Sequence, residues 1–125
     1  MKVKVLSLAG IFAVALAVGL PLWAHHSHGN YQMDTYTTLT GTIKEMHWLN
    51  PHSWVYIDVK GTDDKVTLWA LEGTGVAGLR RTGWTPEMLK PGTTVTARCH
   101  ALKDGSPGCL LGFLKGADGI ERIFD

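Results

Sequence analysis

The sequence is sparing with charge: only 18% of its 125 residues are Asp, Glu, Lys or Arg. Its twelve basic residues are scattered, not striped, and stand against eleven acidic ones. That balance suits neither a polyanion nor an acidic membrane surface, so no nucleic-acid partner is expected. Only two cysteines are present, neither near residue 24, which leaves no thiol for a lipid anchor there. Internal repeats and low-complexity tracts are absent, so a second domain has no support. Ser27, Ser53 and Ser106 lack a nucleophile context such as G-x-S-x-G. Asp58, Asp63, Asp64 and Asp104 fall at strand ends or turns, where solvated carboxylates are ordinary, and no catalytic acid pair emerges. A hydrolase is therefore a weak reading.

What the chain does have begins with "MKVKVLSLAGIFAVALAVGLPLWA". Two lysines, a charge-free run from Val5 to Leu20, a helix-ending Pro21 and the small Ala24 form the layout of a secretory signal peptide. Cleavage after Ala24 is expected. An uncleaved span is the rival, since a bilayer needs roughly 20 apolar residues; Gly10, Gly19 and Pro21 dilute the run and no basic stop-transfer cluster follows. Loss of Lys2 and Lys4 turns the formal charge of +1 slightly negative. What remains is one domain's worth of chain. The expected division is residues 1–24 as signal, 25–37 as a His-rich segment and 38–125 as one β domain.

Export makes an even cysteine count meaningful. Cys99 and Cys109 flank an Asp104-Gly105 turn, and pairing of the flanking runs as a hairpin would set them opposite each other. A disulfide stapling that hairpin is expected; free thiols or a metal are the alternatives, and ten-residue spacing with no adjacent pair is no zinc signature.

From Thr38 the composition is β-rich and cut by turns. Strands are expected at Thr38–Trp48, Trp54–Lys60, Val66–Glu72, Thr93–Ala101 and Cys109–Leu114, with a last short one at Gly119–Phe124. In the second, Val55, Ile57 and Val59 share one face; in the third, Val66, Leu68 and Ala70 are expected inward. A short helix around Val76–Arg80, ended by Gly83, and a turn of helix opened by Pro86 interrupt the strands. Three strands, a helix and two or three strands in this length is the order of a small OB-fold-like barrel. A small β-sandwich is the alternative. "GTGVAG" (Gly73–Gly78) matches G-x-G-x-x-G by letters, but the helix is cut short and position 98 is Arg98 where an acid is needed, so its glycines are read as serving tight turns.

Two clusters carry chemistry. A chain starting at His25 reads His25-His26-Ser27-His28, with the free α-amine beside its own imidazole. The two can chelate one metal ion, and copper suits a nitrogen-rich site. A third nitrogen from His47, His52 or His100 would complete a T-shaped set like the histidine brace of exported copper proteins. The competing reading is a solvated tail. The second cluster is "WLNPHSW" (Trp48–Trp54), in the first hairpin connection. It reads either as a proline turn with Asn50 bonding nearby backbone, or as a loop presenting His52 or His47 to a ligand. Trp54, Tyr56 and Trp69 are expected on an open aromatic face. Glu72 could pair with Arg80 or Arg81, which otherwise cap a helix end.

The His25-His26-Ser27 start, Trp48-x-Asn50-Pro51-His52, Trp69-x-x-Glu72 and Arg80-Arg81-x-Gly83-Trp84, in that order, resemble an exported bacterial family catalogued as domain of unknown function 6152. That resemblance implies a periplasmic location in a Gram-negative bacterium and a compact β domain, and it brings no established activity. His28 stands where the family is expected to carry an aromatic, and the cysteines look like an individual addition.

The expectation is a periplasmic binding protein, for copper through His25 with His52 or His47 and further His26 or His28. The alternative is a metal-free module holding a peptide, protein or small ligand around Trp48, Asn50, Trp54, Tyr56, Trp69, Glu72, Arg80 and Arg81. A copper-dependent redox enzyme is a weaker third, since it needs an open coordination position and a substrate surface. The N-terminal segment is expected to fold back over the barrel, with Tyr31 and Tyr36 packing on Trp54, Tyr56 and Trp69.

Overall fold

The computed structural model describes residues 28–125; the expected signal peptide, His25 and His26 lie outside them. Six strands follow in chain order: β1 (Thr37–His47), β2 (His52–Lys60), β3 (Val66–Thr74), β4 (Thr94–Ala101), β5 (Gly108–Lys115) and β6 (Glu121–Ile123). Between β3 and β4 lie one helix, α1 (Val76–Arg81), and a 3-10 turn at Pro86–Leu89. The sheet order is β3-β2-β1-β4-β5-β6, and β3 also pairs in parallel with β5. That last pairing closes five strands into an OB-like barrel, with β6 as an extra strand on β5. Among the described residues no helix is long and apolar enough to cross a membrane.

The core follows from alternation on β2. Val55 and Ile57 are fully buried, and Leu71, Val95, Ala97, Leu111 and Leu114 meet them inside the barrel. Leu79 from α1 and Trp84 just beyond it complete the same cluster, the indole donating to the Ile123 carbonyl at 3.0 Å and meeting Phe124 edge-on.

The phase of β3 departs from expectation. Val66 is 61% and Leu68 43% exposed, whereas Leu71 is buried and Trp69 packs against the core. Register explains this, because Ile57 lies opposite Trp69 and Val55 opposite Leu71. Directly paired residues share a sheet face, so β2 carries Trp69 and Leu71 inward and turns Leu68 and Ala70 out. Both phases of this strand offer apolar side chains, and local alternation could not choose between them.

The glycines of "GTGVAG" serve close approach instead of turn conformations, since none of the three has positive φ. A Cβ at Gly73 would lie 2.9 Å from the Phe124 carbonyl oxygen, and one at Gly75 would lie 2.8 Å from that of Pro51. The β3–α1 connection is thereby pressed against both the C-terminus and the β1–β2 loop. Cys99 and Cys109 form the expected disulfide, with Cα atoms 5.6 Å apart and both residues buried. They are not opposite each other: Cys99 faces Leu111, Ala101 faces Cys109, and a shift after Arg98 makes the bridge diagonal.

Candidate functional site

The residues before β1 form a strap across the outer wall. The Gln32 amide donates to the Ala101 carbonyl at 2.9 Å, the Lys103 amide to Asn30, and the Lys103 ammonium to the Gly29 carbonyl. Tyr31 makes an isolated bridge to Leu102. His100, on β4 and 8% exposed, is the central peg: its Nδ1 lies 2.8 Å from the Thr35 carbonyl oxygen and 3.1 Å from that of Gln32. Two acceptors at one ring nitrogen assign the proton to Nδ1. The Tyr36 ring covers the same imidazole, with centroids 4.3 Å apart.

The strap thus folds back as expected, on a different footing. Tyr36 lies against His100 and Phe113 instead of the β2 aromatics. Tyr31 is buried, and its hydroxyl donates to Glu72 Oε2 at 2.7 Å. Burial and the adjacent Glu72 push the Tyr31 phenol well above the ordinary tyrosine range.

Glu72 is the hub of this wall. Its position on β3 faces outward opposite Trp54 and beside Leu110 of β5, yet it is only 8% exposed. A carboxylate that dry is costly unless both oxygens are paired. Oε2 takes the Tyr31 proton donor and Oε1 meets His52 Nδ1 at close range. The His52 side chain is 38% exposed. Arg80 and Arg81 are not the partners of Glu72; they lie exposed in the last turn of α1, where cations suit the carbonyl end of a helix.

The loop before β2 is tied down by backbone contacts. Asn50-Pro51 is a cis peptide. Asn50 Oδ1 accepts the Val76 amide at 3.0 Å at the start of α1, so its side chain is engaged in structure. The buried Ser53 hydroxyl donates to the Leu49 carbonyl at 3.2 Å. His52 is therefore presented by a clamped loop.

Beyond His52 the wall carries Trp54 and Tyr56 in a stack at 6.5 Å, with the His47 ring 5.1 Å from Tyr56 and its Nε2 3.0 Å from Glu45 Oε2. Trp69, expected on the open aromatic face, packs against the core instead, and so does Trp48, a candidate ligand contact of the loop. His28 is exposed in the turn that starts the strap. Among the described residues no three His, Cys, Asp or Glu side chains are grouped to hold a metal. The structure brings together His52 and Glu72 of the expected set and adds Tyr31, 41 residues from Glu72 in sequence, which no local signal marks.

The architecture is that of a small closed OB-like barrel with a strapped outer wall and a carboxylate-held histidine. The chain belongs to the Family of unknown function (DUF6152), whose model matches residues 13–111. No curated protein matches it. Among solved structures it is similar to the mitochondrial single-stranded DNA-binding protein Rim1 of S. cerevisiae, with a TM-score of 0.50 and 10% identity over 66% of this chain and 93% of that one. Identity that low speaks to the fold.

Proposed function

We propose that the protein is a periplasmic copper-binding protein, exported by its N-terminal signal, whose metal is held by the amine and imidazole of His25 together with His52. The observation that carries this reading is the His52–Glu72 contact. A metal-binding histidine characteristically gives one ring N–H to a carboxylate, which frees the other nitrogen for the ion. With Nδ1 on the buried Glu72, His52 offers Nε2 from a half-exposed ring. The strap starts three residues after His25 and is bonded through Tyr31 to the same carboxylate, which favours delivery of the N-terminus to this wall. His26, His28 and His47 are the further candidate ligands. An amine and imidazoles suit copper, which stands highest in the divalent affinity order.

The test is a copper(II) titration of the protein isolated from the periplasm, its N-terminus read by mass spectrometry, beside a form with one extra N-terminal Gly and a His52→Ala variant. Tight one-to-one binding that weakens in both altered forms is the expected result. Equal, weak binding in all three sinks the reading.

The stacked Trp54–Tyr56 pair favours a second reading, a metal-free module that takes an organic or peptide ligand on this wall. Nucleic acid does not suit the wall, where Glu45, Asp58 and Glu72 are outward acids around the aromatics and, among the described residues, no basic stripe accompanies them. Tryptophan fluorescence that responds to a ligand in wild type but not in Trp54→Ala, with copper absent, would favour this module.

A further inference from the structure

We propose that Glu72 and Tyr31 are positioning residues for the metal centre: Glu72 sets the tautomer and direction of the His52 ring, and Tyr31 ties that setting to the docked strap. The inference rests on the copper reading and deepens it.

The proton assignment follows from the donors. The Tyr31 hydroxyl donates to Oε2, and Glu72 as a carboxylate is acceptor-only, so the hydrogen between Oε1 and His52 belongs to Nδ1. That leaves the lone pair on Nε2. A free neutral imidazole side chain prefers the opposite tautomer, with the proton on Nε2, which is the form that cannot bind a metal there. Glu72 therefore reverses an intrinsic preference.

Position adds the second half. Glu72 stands on β3, His52 begins β2, and Tyr31 precedes β1, at separations of 20 and 41 residues. Nothing in the core needs this carboxylate, because its strand position faces outward opposite Trp54. Its oxygens are held from two sides, by Tyr31 of the strap and by His52 of the loop. Docking of the strap through His100 and Lys103 thus brings Tyr31 to Glu72, and a Glu72 held at both oxygens holds the His52 ring. One carboxylate thereby joins the strap to the loop histidine.

A trio that merely satisfies a buried charge would lose stability on mutation without changing what His52 presents. The experiment separates these. Nitrogen-15 NMR of the copper-free protein at about pH 8, where an ordinary imidazole is neutral, reports the His52 tautomer. Wild type is expected as the Nδ1–H form and Glu72→Met as mainly Nε2–H. Copper(II) affinity is expected to fall about tenfold to a hundredfold in Glu72→Met, with a changed electron paramagnetic resonance pattern for the ring nitrogen. Tyr31→Phe keeps the carboxylate and guards against a Glu72 variant that does not fold; it is expected to lose affinity severalfold while amide exchange in the strap quickens. Glu72→Met and Tyr31→Phe binding copper as tightly as wild type, while His52→Ala binds weakly, overturns the positioning role and leaves the copper reading standing. His52→Ala binding as tightly as wild type overturns both.

Discussion

Tyr31 shows how one side chain answers to a distant neighbour. Its phenol is raised by burial first and by Glu72 second, so the folded state keeps the proton where an unfolded tyrosine would lose it. The sign follows from linkage: the contribution is fully present below about pH 10, the unfolded value, and is lost as pH climbs beyond it. Urea denaturation across that range should show wild type losing stability more steeply than Tyr31→Phe. At neutral pH the variant should be less stable by about 1.5–3 kcal/mol, the scale for a hydrogen bond to a charged group. Parallel alkaline limbs in the two proteins would contradict the assignment. His100 makes the complementary point, since its Nδ1 serves two strap carbonyls 65 and 68 residues away in sequence.

Among the elements, the strap is the one whose attachment is polar and local. Replacing His100 by Phe keeps a ring for Tyr36 to cover and removes the Nδ1 donor. Hydrogen exchange at the Gln32 amide, bonded to Ala101, should then accelerate while the Ile57 amide inside the barrel holds its rate. Unchanged exchange at Gln32 would show that His100 is not the peg. The β3–C-terminal contact behaves differently, because there the Gly73 backbone meets both the ring and the carbonyl of the buried Phe124. Gly73→Ala places a carbon 2.9 Å from the Phe124 carbonyl oxygen, and overpacking of that kind costs about 1–3 kcal/mol. Thermal unfolding of the variant measures it, and an unshifted midpoint would mean the C-terminal strand yields freely.

At the scale of the molecule, closure depends on holding β5 between β4 and β3. The disulfide joins β4 to β5 near the end where β5 meets β3, through Cys109 beside Leu71. For so short a loop it should contribute about 2–3 kcal/mol, read as the drop in denaturation midpoint on reduction; an unchanged midpoint would remove its standing as a staple. The other end of β5 is tied by exposed charges. Arg98 holds the Glu121 carboxyl, and Arg122 the Asp118 carboxyl, below the usual carboxylate range. Depressed values mean stability present above about pH 4 and lost as pH falls below it. Because these pairs are exposed, salt should shrink the effect. Acid titrations of unfolding at low and high salt check this, and salt-independent acid unfolding would contradict it.

Local pattern was enough for the strand positions, the helix between the third and fourth, the buried face of β2 and the cysteine pair, because each rests on alternation, turn residues or short spacing within about ten residues. The Asn50-Pro51-His52 loop was legible as a site of interest, though Asn50 itself caps α1. Three features were decided only by tertiary structure. The phase of β3 came from register against β2, the burial of Trp69 with it, and the Tyr31–Glu72–His52 trio from barrel closure and strap docking. Side chains 20 and 41 residues apart leave no periodic trace in a chain, since their meeting depends on how strands pair and not on what lies beside them.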